Sequence, residues 1–238
     1  MSRRSLRKGG EPVEALYTTE DVEQVLPLID RAKYGQVIDT GVGIRCSFFD
    51  AGHILGSGSL SLWLASPDRE KKMIFSGDIG RKGAPIIKDP TLATEADYVV
   101  MESTYGDRLH KNSEDTANEL AEAITTTFGS GGNVLIPAFA IGRTQEVLYL
   151  LNRLVREGAL PKLTVMIDSP LAEKATTIYL RHPDLYDEEA KRLVSTGRIG
   201  DAITVRFTQS VEESMAINKI KSKAVIIAGS GMCEGGRI

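Results

Sequence analysis

The sequence has few cysteines and no long apolar run. Its 238 residues include two cysteines, Cys46 and Cys233, which lie far apart and form no C-x-x-C pair. We therefore expect no disulfide framework and a reducing, cytoplasmic environment. No segment reaches the roughly 20 consecutive apolar residues that a membrane-spanning helix needs. The basic start, MSRRSLRKGG, is not followed by the apolar stretch of a secretory signal, so we expect no membrane partner.

An excess of positive charge is also missing. The chain carries 29 Lys and Arg against 32 Asp and Glu, a formal net charge of -3 at pH 7. This balance excludes a generally basic nucleic-acid coat protein, although it allows a local basic groove. Hydrophobic residues make up 42% of the chain and charged residues 26%, close to the averages of a folded domain, which argues against disorder.

The pattern of apolar residues changes near the middle of the chain. Between residues 36 and 103, segments such as SLSLWLA alternate with period two, so that Leu60, Leu62 and Leu64 share one face. This alternation predicts a sheet with one face on a core. From residue 114, apolar runs such as NVLIPAF and AVIIAG alternate with helical segments, which predicts a parallel sheet covered on both faces. We therefore predict an α/β fold with two domains, 1–107 and 108–238.

Three candidate site residues lie near strand ends, and two of them, His53 and Asp78, are beside glycines. His53 lies in FFDAGHILGSGS, Asp78 in IFSGDIGR and Glu102 in VVMESTYGDR. Neutral imidazole is the commonest protein metal ligand, and a carboxylate on a glycine-flanked turn is able to bridge two cations. Each residue also has an ordinary interpretation, namely a hydrogen-bonded turn histidine, an Asx turn and a solvated glutamate. If the strands belong to one sandwich, their ends lie on one edge and the three side chains converge.

Two glycine-containing segments in the second half are candidate phosphate sites. Gly142 and Arg143 begin a predicted helix in IPAFAIGRTQEVLYLL, where N–H groups and the helix dipole attract anions. The alternative is that Arg143 pairs with a nearby carboxylate such as Glu146. Ser230 and Gly231 follow a strand in AVIIAGSGMCEGG, which comes close to a dinucleotide-binding fingerprint but lacks its βαβ context. Backbone N–H groups at that turn would serve RNA phosphate equally well.

Five segments of the sequence, taken in order, resemble the β-CASP branch of the metallo-β-lactamase fold, which contains RNA-processing nucleases related to the cleavage and polyadenylation endonuclease. These segments are AGHILGSGS, FSGDIGR, MESTYGDR, IPAFAIGRTQE and IAGSGM. The resemblance implies a partial metallo-β-lactamase αββα sandwich, followed by a C-terminally incomplete β-CASP domain with a mainly parallel sheet flanked by helices. It also implies that His53 is a zinc ligand, that Asp78 is a catalytic carboxylate bridging two zinc ions, and that Glu102 supports a catalytic histidine.

The sequence departs from this family pattern in its histidines. The first ligand motif of the family, His-x-His-x-Asp-His, has no counterpart in the sequence, and the later histidine motifs would follow the SGMCEGGRI segment. The other two histidines, His110 and His182, lie in no such cluster. We therefore expect the middle part of a family member, either a truncated gene product or a short protein, with an incomplete zinc site.

The resemblance implies zinc-dependent hydrolysis of RNA phosphodiester bonds, with two zinc ions in the complete site. Single-stranded RNA would enter the cleft between the domains, where the path of its backbone would matter more than base identity. The alternative is a non-catalytic fragment or subunit that binds RNA or a protein partner without cleavage. Unpaired strands in a partial sandwich also predict self-association, for example as a homodimer.

Overall fold

Two β-sheets organise the chain, whose computed structural model describes residues 15–109 and 112–237. The basic N-terminal segment and His110, both considered in the sequence, lie outside the described residues. Among the described residues, no helix combines the length and the apolar character needed to cross a membrane.

The first sheet follows the order of the chain. Its strands are β1 (Ile38–Asp39), β2 (Ile44–Asp50), β3 (Gly58–Leu64), β4 (Lys71–Phe75) and β5 (Tyr98–Val100). Strands β1 to β4 pair antiparallel with their neighbours, whereas β5 runs parallel to β4. A short helix, α1 (Thr19–Val25), precedes the sheet, and its first turn is capped by the side chain of Thr18.

The burial of β3 differs from the expected pattern. The alternation predicted that the leucine face of this strand packs on a core, but Ser59 and Ser61 on the opposite face are the buried residues, at 4% and 6% exposure. The Ser59 hydroxyl donates a hydrogen bond of 2.6 Å to the carbonyl oxygen of Ser76, which follows the neighbouring strand β4. A hydroxyl that finds such a partner is tolerated in a buried position. Alternation therefore located the strand but assigned the wrong face to the interior.

The second sheet is entirely parallel. Its strands lie in the order β6-β9-β7-β8, where β6 is Val134–Pro137, β7 is Thr164–Asp168, β8 is Thr204–Phe207 and β9 is Ala224–Ala228. The helices that alternate with these strands are α2 (Ser113–Gly129), α3 (Arg143–Arg156), α4 (Pro170–Arg181), α5 (Glu188–Ser195) and α6 (Val211–Ile217). A mixed sheet followed by a parallel sheet with helices confirms the predicted fold class.

The main core surrounds the two central strands of the second sheet. All five residues of β9 are buried, and Val165 and Ile167 of β7 have no exposed surface. Burying a large aliphatic side chain contributes about 1.5–3 kcal/mol, so these strands carry much of the stability of this half. The edge strand β6 differs, because its Leu135 is 59% exposed. The prediction of strands covered on both faces therefore holds for the central pair and fails at this edge.

A second cluster of buried side chains joins the two halves of the chain. Ile86 and Ile87, from the loop between β4 and β5, belong to one cluster with Tyr179 of α4 and Tyr186. Ile87 and Tyr186 form an antiparallel bridge, and the Ile86 carbonyl accepts a hydrogen bond of 2.8 Å from the Asp187 amide. Buried aromatic side chains contribute large contact areas to such clusters. The loop is thereby fixed to the helices of the second half, and the domain boundary at residues 107 and 108 stays a prediction.

Candidate functional site

Two turns that carry predicted site residues touch through their backbones. We call residues 51–57 the His53 turn and residues 76–81 the Asp78 turn. The Gly80 amide donates a hydrogen bond of 2.8 Å to the Ala51 carbonyl. A Cβ atom on Gly80 would stand 1.6 Å from the Gly52 carbonyl oxygen, so the approach requires glycine. The contact explains why glycines flank both site residues in the sequence.

His53 and Asp78 face each other across this contact. Nε2 of His53 lies 3.9 Å from Oδ2 of Asp78, and both side chains are exposed. Zinc–nitrogen and zinc–oxygen bonds are about 2.0–2.2 Å long, so two ligands of one ion have donor atoms roughly 3–4 Å apart. The structure therefore brings these two side chains together at a distance that suits a shared metal ion.

The His53 turn is held in place by hydroxyl groups. Oγ of Ser57 accepts hydrogen bonds from the amides of His53 and Ile54, at 3.0 Å and 3.2 Å. The Tyr34 hydroxyl donates a hydrogen bond of 2.7 Å to the Ser57 carbonyl. Burial and the nearby Asp50 carboxylate raise the pKa of Tyr34 to about 12, so its hydroxyl keeps the proton that it donates. These hydrogen bonds fix the backbone that presents His53.

Glu102 follows β5 by two residues and holds the Asp78 turn. Its Oε1 accepts a hydrogen bond of 2.6 Å from the amide of Ile79, the residue after Asp78. The amide of Glu102 donates to Oγ of Ser76 at 3.1 Å. The hydrogen bond from the Ile79 amide, followed by hydrogen bonds from Thr104, holds the pKa of Glu102 below its ordinary value. Glu102 therefore acts as an anionic anchor for the backbone beside Asp78.

The donor atoms fit part of a zinc site. Imidazole nitrogen and carboxylate oxygen both bind zinc, and the spacing of His53 and Asp78 suits one ion. Within residues 15–109 and 112–237, no three His, Cys, Asp or Glu side chains come together as a metal-binding group. A catalytic zinc usually has three protein ligands, so this pair needs at least one further ligand to complete such a site.

Gly142 and Arg143 begin α3, as the sequence predicted, and lie against the His53 turn. A Cβ atom on Gly142 would stand 2.5 Å from the side chain of Ile54. The Gly142 amide donates a hydrogen bond of 2.8 Å to Oε1 of Gln145, and the Arg143 amide donates one of 3.1 Å to the Ile141 carbonyl. Both amides already donate hydrogen bonds within the chain. An anion at this point would therefore be bound by the side chain of Arg143 and not by these backbone N–H groups.

The carboxylate of Glu146 joins Arg143 to Arg81. Nη2 of Arg81 lies 2.9 Å from Oε1 of Glu146, while Nη1 of Arg143 contacts Oε2 of the same carboxylate. The alternative interpretation of Arg143, an ion pair with Glu146, is therefore present in the structure. Arg81 was missed by the sequence reasoning, although its place three residues after Asp78 in SGDIGR was a usable signal.

An open depression of about 280 Å³ lies beside the Asp78 turn. Arg81 and Glu102 line one part of it, and Ser103, Thr104 and Tyr105 line another. The depression thus places a cation, an anion and hydroxyl groups beside the apolar side chains of Ile79 and Met101, next to the turn that carries Asp78.

Ser230 and Gly231 lie at the carboxyl edge of the second sheet, next to the segment that leads into α3. A Cβ atom on Gly231 would stand 3.0 Å from the ring of Phe139, which follows β6. The two segments predicted to bind phosphate are therefore neighbours. Residues 229–237 form turns, so the helix that a dinucleotide-binding fingerprint needs after the strand does not follow β9 in the described part of the chain.

Asp168, which ends β7, is another residue that sequence reasoning missed. It is buried, and it accepts hydrogen bonds from the hydroxyls of Thr208 and Ser214 and from the guanidinium of Arg237. Arg237 closes the turn segment that contains Ser230, because its amide donates to the Gly229 carbonyl at 2.8 Å. Asp168 thus fastens this segment to the carboxyl edge of the sheet.

Known proteins resemble this chain over nearly its whole length. Residues 144–238 match the family model of the Beta-Casp domain. The chain is 33% identical over 226 residues to Ribonuclease TTHA0252 of Thermus thermophilus, covering 94% of this chain and 51% of that protein. It is 32% identical over 225 residues to the RNase J-like protein of Methanocaldococcus jannaschii, covering 93% and 51%. It is 25% identical over 235 residues to Endoribonuclease YSH1 of Eremothecium gossypii, covering 96% and 29%. The chain spans about half the length of the first two relatives.

Proposed function

Because the chain belongs to the β-CASP family of the metallo-β-lactamase fold, we propose that it is part of a zinc-dependent nuclease that hydrolyses RNA phosphodiester bonds. The names of its relatives, ribonuclease and endoribonuclease, support RNA as the substrate. The observation that carries the metal part of the proposal is the 3.9 Å approach of His53 Nε2 to Asp78 Oδ2. The substrate is single-stranded RNA, and the two free cysteines agree with a cytoplasmic protein.

In this proposal, His53 and Asp78 hold zinc through the imidazole nitrogen and a carboxylate oxygen. Zinc bound there would polarise the scissile phosphate and lower the pKa of a water molecule. The Ser57 hydroxyl orders the His53 turn, and the Gly80 amide ties that turn to the Asp78 turn, which would reduce the ordering cost of metal binding. Glu102 keeps the backbone beside Asp78 in position and supplies a negative charge that would orient a nearby histidine.

A second candidate function is binding of RNA or a protein partner without cleavage. The number of candidate metal ligands favours this function. Among the described residues, His53 and Asp78 come together without a third His, Cys, Asp or Glu side chain that would complete a metal site. The exposed strand β5 favours association with another chain, such as a homodimer, because unpaired strand edges and exposed apolar residues attract partners.

Zinc binding and RNA cleavage test the proposal on the same preparation. In equilibrium dialysis, we expect His53→Ala and Asp78→Ala each to weaken zinc binding at least about tenfold. The control variant His182→Ala, at the end of α4, should bind zinc as the unaltered chain does.

Cleavage is followed with an end-labelled single-stranded RNA at increasing zinc concentration. Cleavage that is lost in Asp78→Asn and kept in His182→Ala would support the nuclease. RNA binding without zinc-dependent cleavage would favour the second candidate. Zinc binding that is indifferent to both His53→Ala and Asp78→Ala would show that the metal site has been assigned to the wrong residues.

A further inference from the structure

We infer that Arg81 and Arg143, one from each half of the chain, form a single binding site for a phosphodiester group of the RNA strand, next to the group that is cleaved. The identity of this ligand rests on the proposed function. Arg81 belongs to the Asp78 turn and Arg143 is the first residue of α3. The site therefore bridges the two sheets of the molecule.

Glu146 brings the two guanidinium groups together. Each of its carboxylate oxygens binds one arginine, Arg81 at Oε1 and Arg143 at Oε2. One carboxylate neutralises one of the two positive charges, so the cluster keeps one net positive charge. A guanidinium carries five N–H donors, which leaves donors on both arginines for a ligand. The side chains of Arg81 and Arg143 are 34% and 61% exposed, so a ligand from solvent is able to reach them.

A phosphodiester suits these two arginines. Its two non-bridging oxygens match the fork of N–H donors on a guanidinium, and the resulting hydrogen bonds are strengthened by charge. The half-buried Glu146 carboxylate fixes both guanidinium groups while leaving N–H donors on each of them unused. Holding two arginines on one carboxylate is an effective way to present positive charge in a fixed position on a chain whose net charge is negative.

Arg81 also relates this site to the candidate metal ligands. It lies three residues after Asp78 and lines the depression that Glu102 also lines. In this proposal, one RNA strand has its scissile phosphate at His53 and Asp78 and a neighbouring phosphate at Arg81 and Arg143. Ser103 and Thr104 line the same depression as Arg81, so the strand would pass close to them.

The salt dependence of RNA binding tests this site. Binding of fluorescein-labelled single-stranded oligouridine to the full chain is measured by fluorescence anisotropy over a range of salt concentrations. Each phosphate contact on a single strand adds about 0.7 to the slope of log K against log salt. We expect Arg81→Gln and Arg143→Gln each to reduce the slope by about 0.7. The double variant should lose no more than either single variant, because both arginines bind one phosphate.

Two further variants make the outcome decisive. Arg81→Lys keeps the charge and should keep the slope, which separates loss of charge from damage to the fold. Arg45→Gln is the matched control, since Arg45 is an exposed arginine paired with Glu70 on the first sheet, and its slope should not change.

Three results would overturn parts of this scheme, and they are distinguishable. A loss of about 1.4 in the double variant would mean two separate phosphates and not one shared site. Unchanged slopes in both single variants, with RNA binding intact, would refute the shared phosphate site and leave the nuclease proposal standing. Failure of the unaltered chain to bind oligouridine at low salt would refute the proposed function as well.

Discussion

Gly80 and Gly52 are in direct backbone contact, and this contact holds the His53 turn against the Asp78 turn. A Cβ atom on Gly80 would stand 1.6 Å from the Gly52 carbonyl oxygen, so Gly80→Ala forces the two turns apart. We expect this variant to lower the free energy of unfolding by about 1–3 kcal/mol, as overpacking commonly does. It should also weaken zinc binding, because the donor atoms of the two site residues move apart. Urea unfolding and a zinc titration measure the two effects.

Gly129→Ala is the matched control for this substitution. Gly129 is the last residue of α2, and a Cβ atom there would meet no atom within 4 Å. We expect a neutral effect or a gain of about 0.5–1 kcal/mol, since alanine favours the helix. If Gly80→Ala matched the unaltered chain in stability and in zinc affinity, the glycine contact would not be what holds the two turns together.

Much of the fold follows from apolar periodicity. The run AVIIAG predicted β9, and the structure buries all five residues of that strand at the centre of the parallel sheet. Periodicity gave the wrong interior face for β3, because the hydroxyl of Ser59 finds a backbone acceptor at Ser76, just after the neighbouring strand β4. That acceptor comes within reach only because β3 pairs with β4, and the alternation of apolar residues along one strand does not reveal which strands pair.

The part of the candidate site that could be predicted consists of residues that directly follow strands. His53 and Asp78 follow β2 and β4, which lie on either side of β3 in one sheet, and their convergence needed only the assumption that those strands belong to one sandwich. The ion pairs of Arg81 and Asp168 were not predictable in this way, because their partners are distant in sequence. Arg81 pairs with Glu146, 65 residues away, and Asp168 pairs with Arg237, 69 residues away.

Tyr179 of α4 is expected to stabilise the His53 turn. The Leu55 amide donates a hydrogen bond of 3.1 Å to the Tyr179 hydroxyl, and burial raises the pKa of that hydroxyl, so it stays protonated. Tyr179→Phe leaves the Leu55 amide without this acceptor. We expect a loss of about 1 kcal/mol in the free energy of unfolding and faster hydrogen exchange at the Leu55 amide.

Tyr98→Phe controls for removal of a tyrosine hydroxyl, because Tyr98 is exposed on β5. Its unfolding and the exchange of the Leu55 amide should match those of the unaltered chain. Unchanged exchange at Leu55 in Tyr179→Phe would mean that the second half of the molecule does not order the His53 turn through this bond.

Asp168 is expected to stabilise the carboxyl edge of the second sheet. Burial raises the pKa of its carboxyl, but hydrogen bonds from Thr208, Ser214 and Arg237 together outweigh burial, so the pKa lies below its ordinary value. Asp168→Asn keeps the shape and removes the charge that faces Arg237. We expect it to lower the free energy of unfolding by about 2–3 kcal/mol at neutral pH, because breaking a buried, charge-assisted network is costly. Chemical denaturation measures this difference.

The pH dependence of that difference tests its cause. Because the pKa of Asp168 is lower in the folded state than in the unfolded state, the carboxylate stabilises the fold above the ordinary aspartate pKa of about 3.9. Its contribution is lost as the pH falls through the folded-state value, so the unaltered chain and Asp168→Asn should converge in stability in acid. Asp107→Asn, at an exposed position, should change stability by less than about 0.5 kcal/mol at each pH. A difference between the unaltered chain and Asp168→Asn that grew on acidification would mean that burial outweighs the three hydrogen bonds and raises the pKa of Asp168.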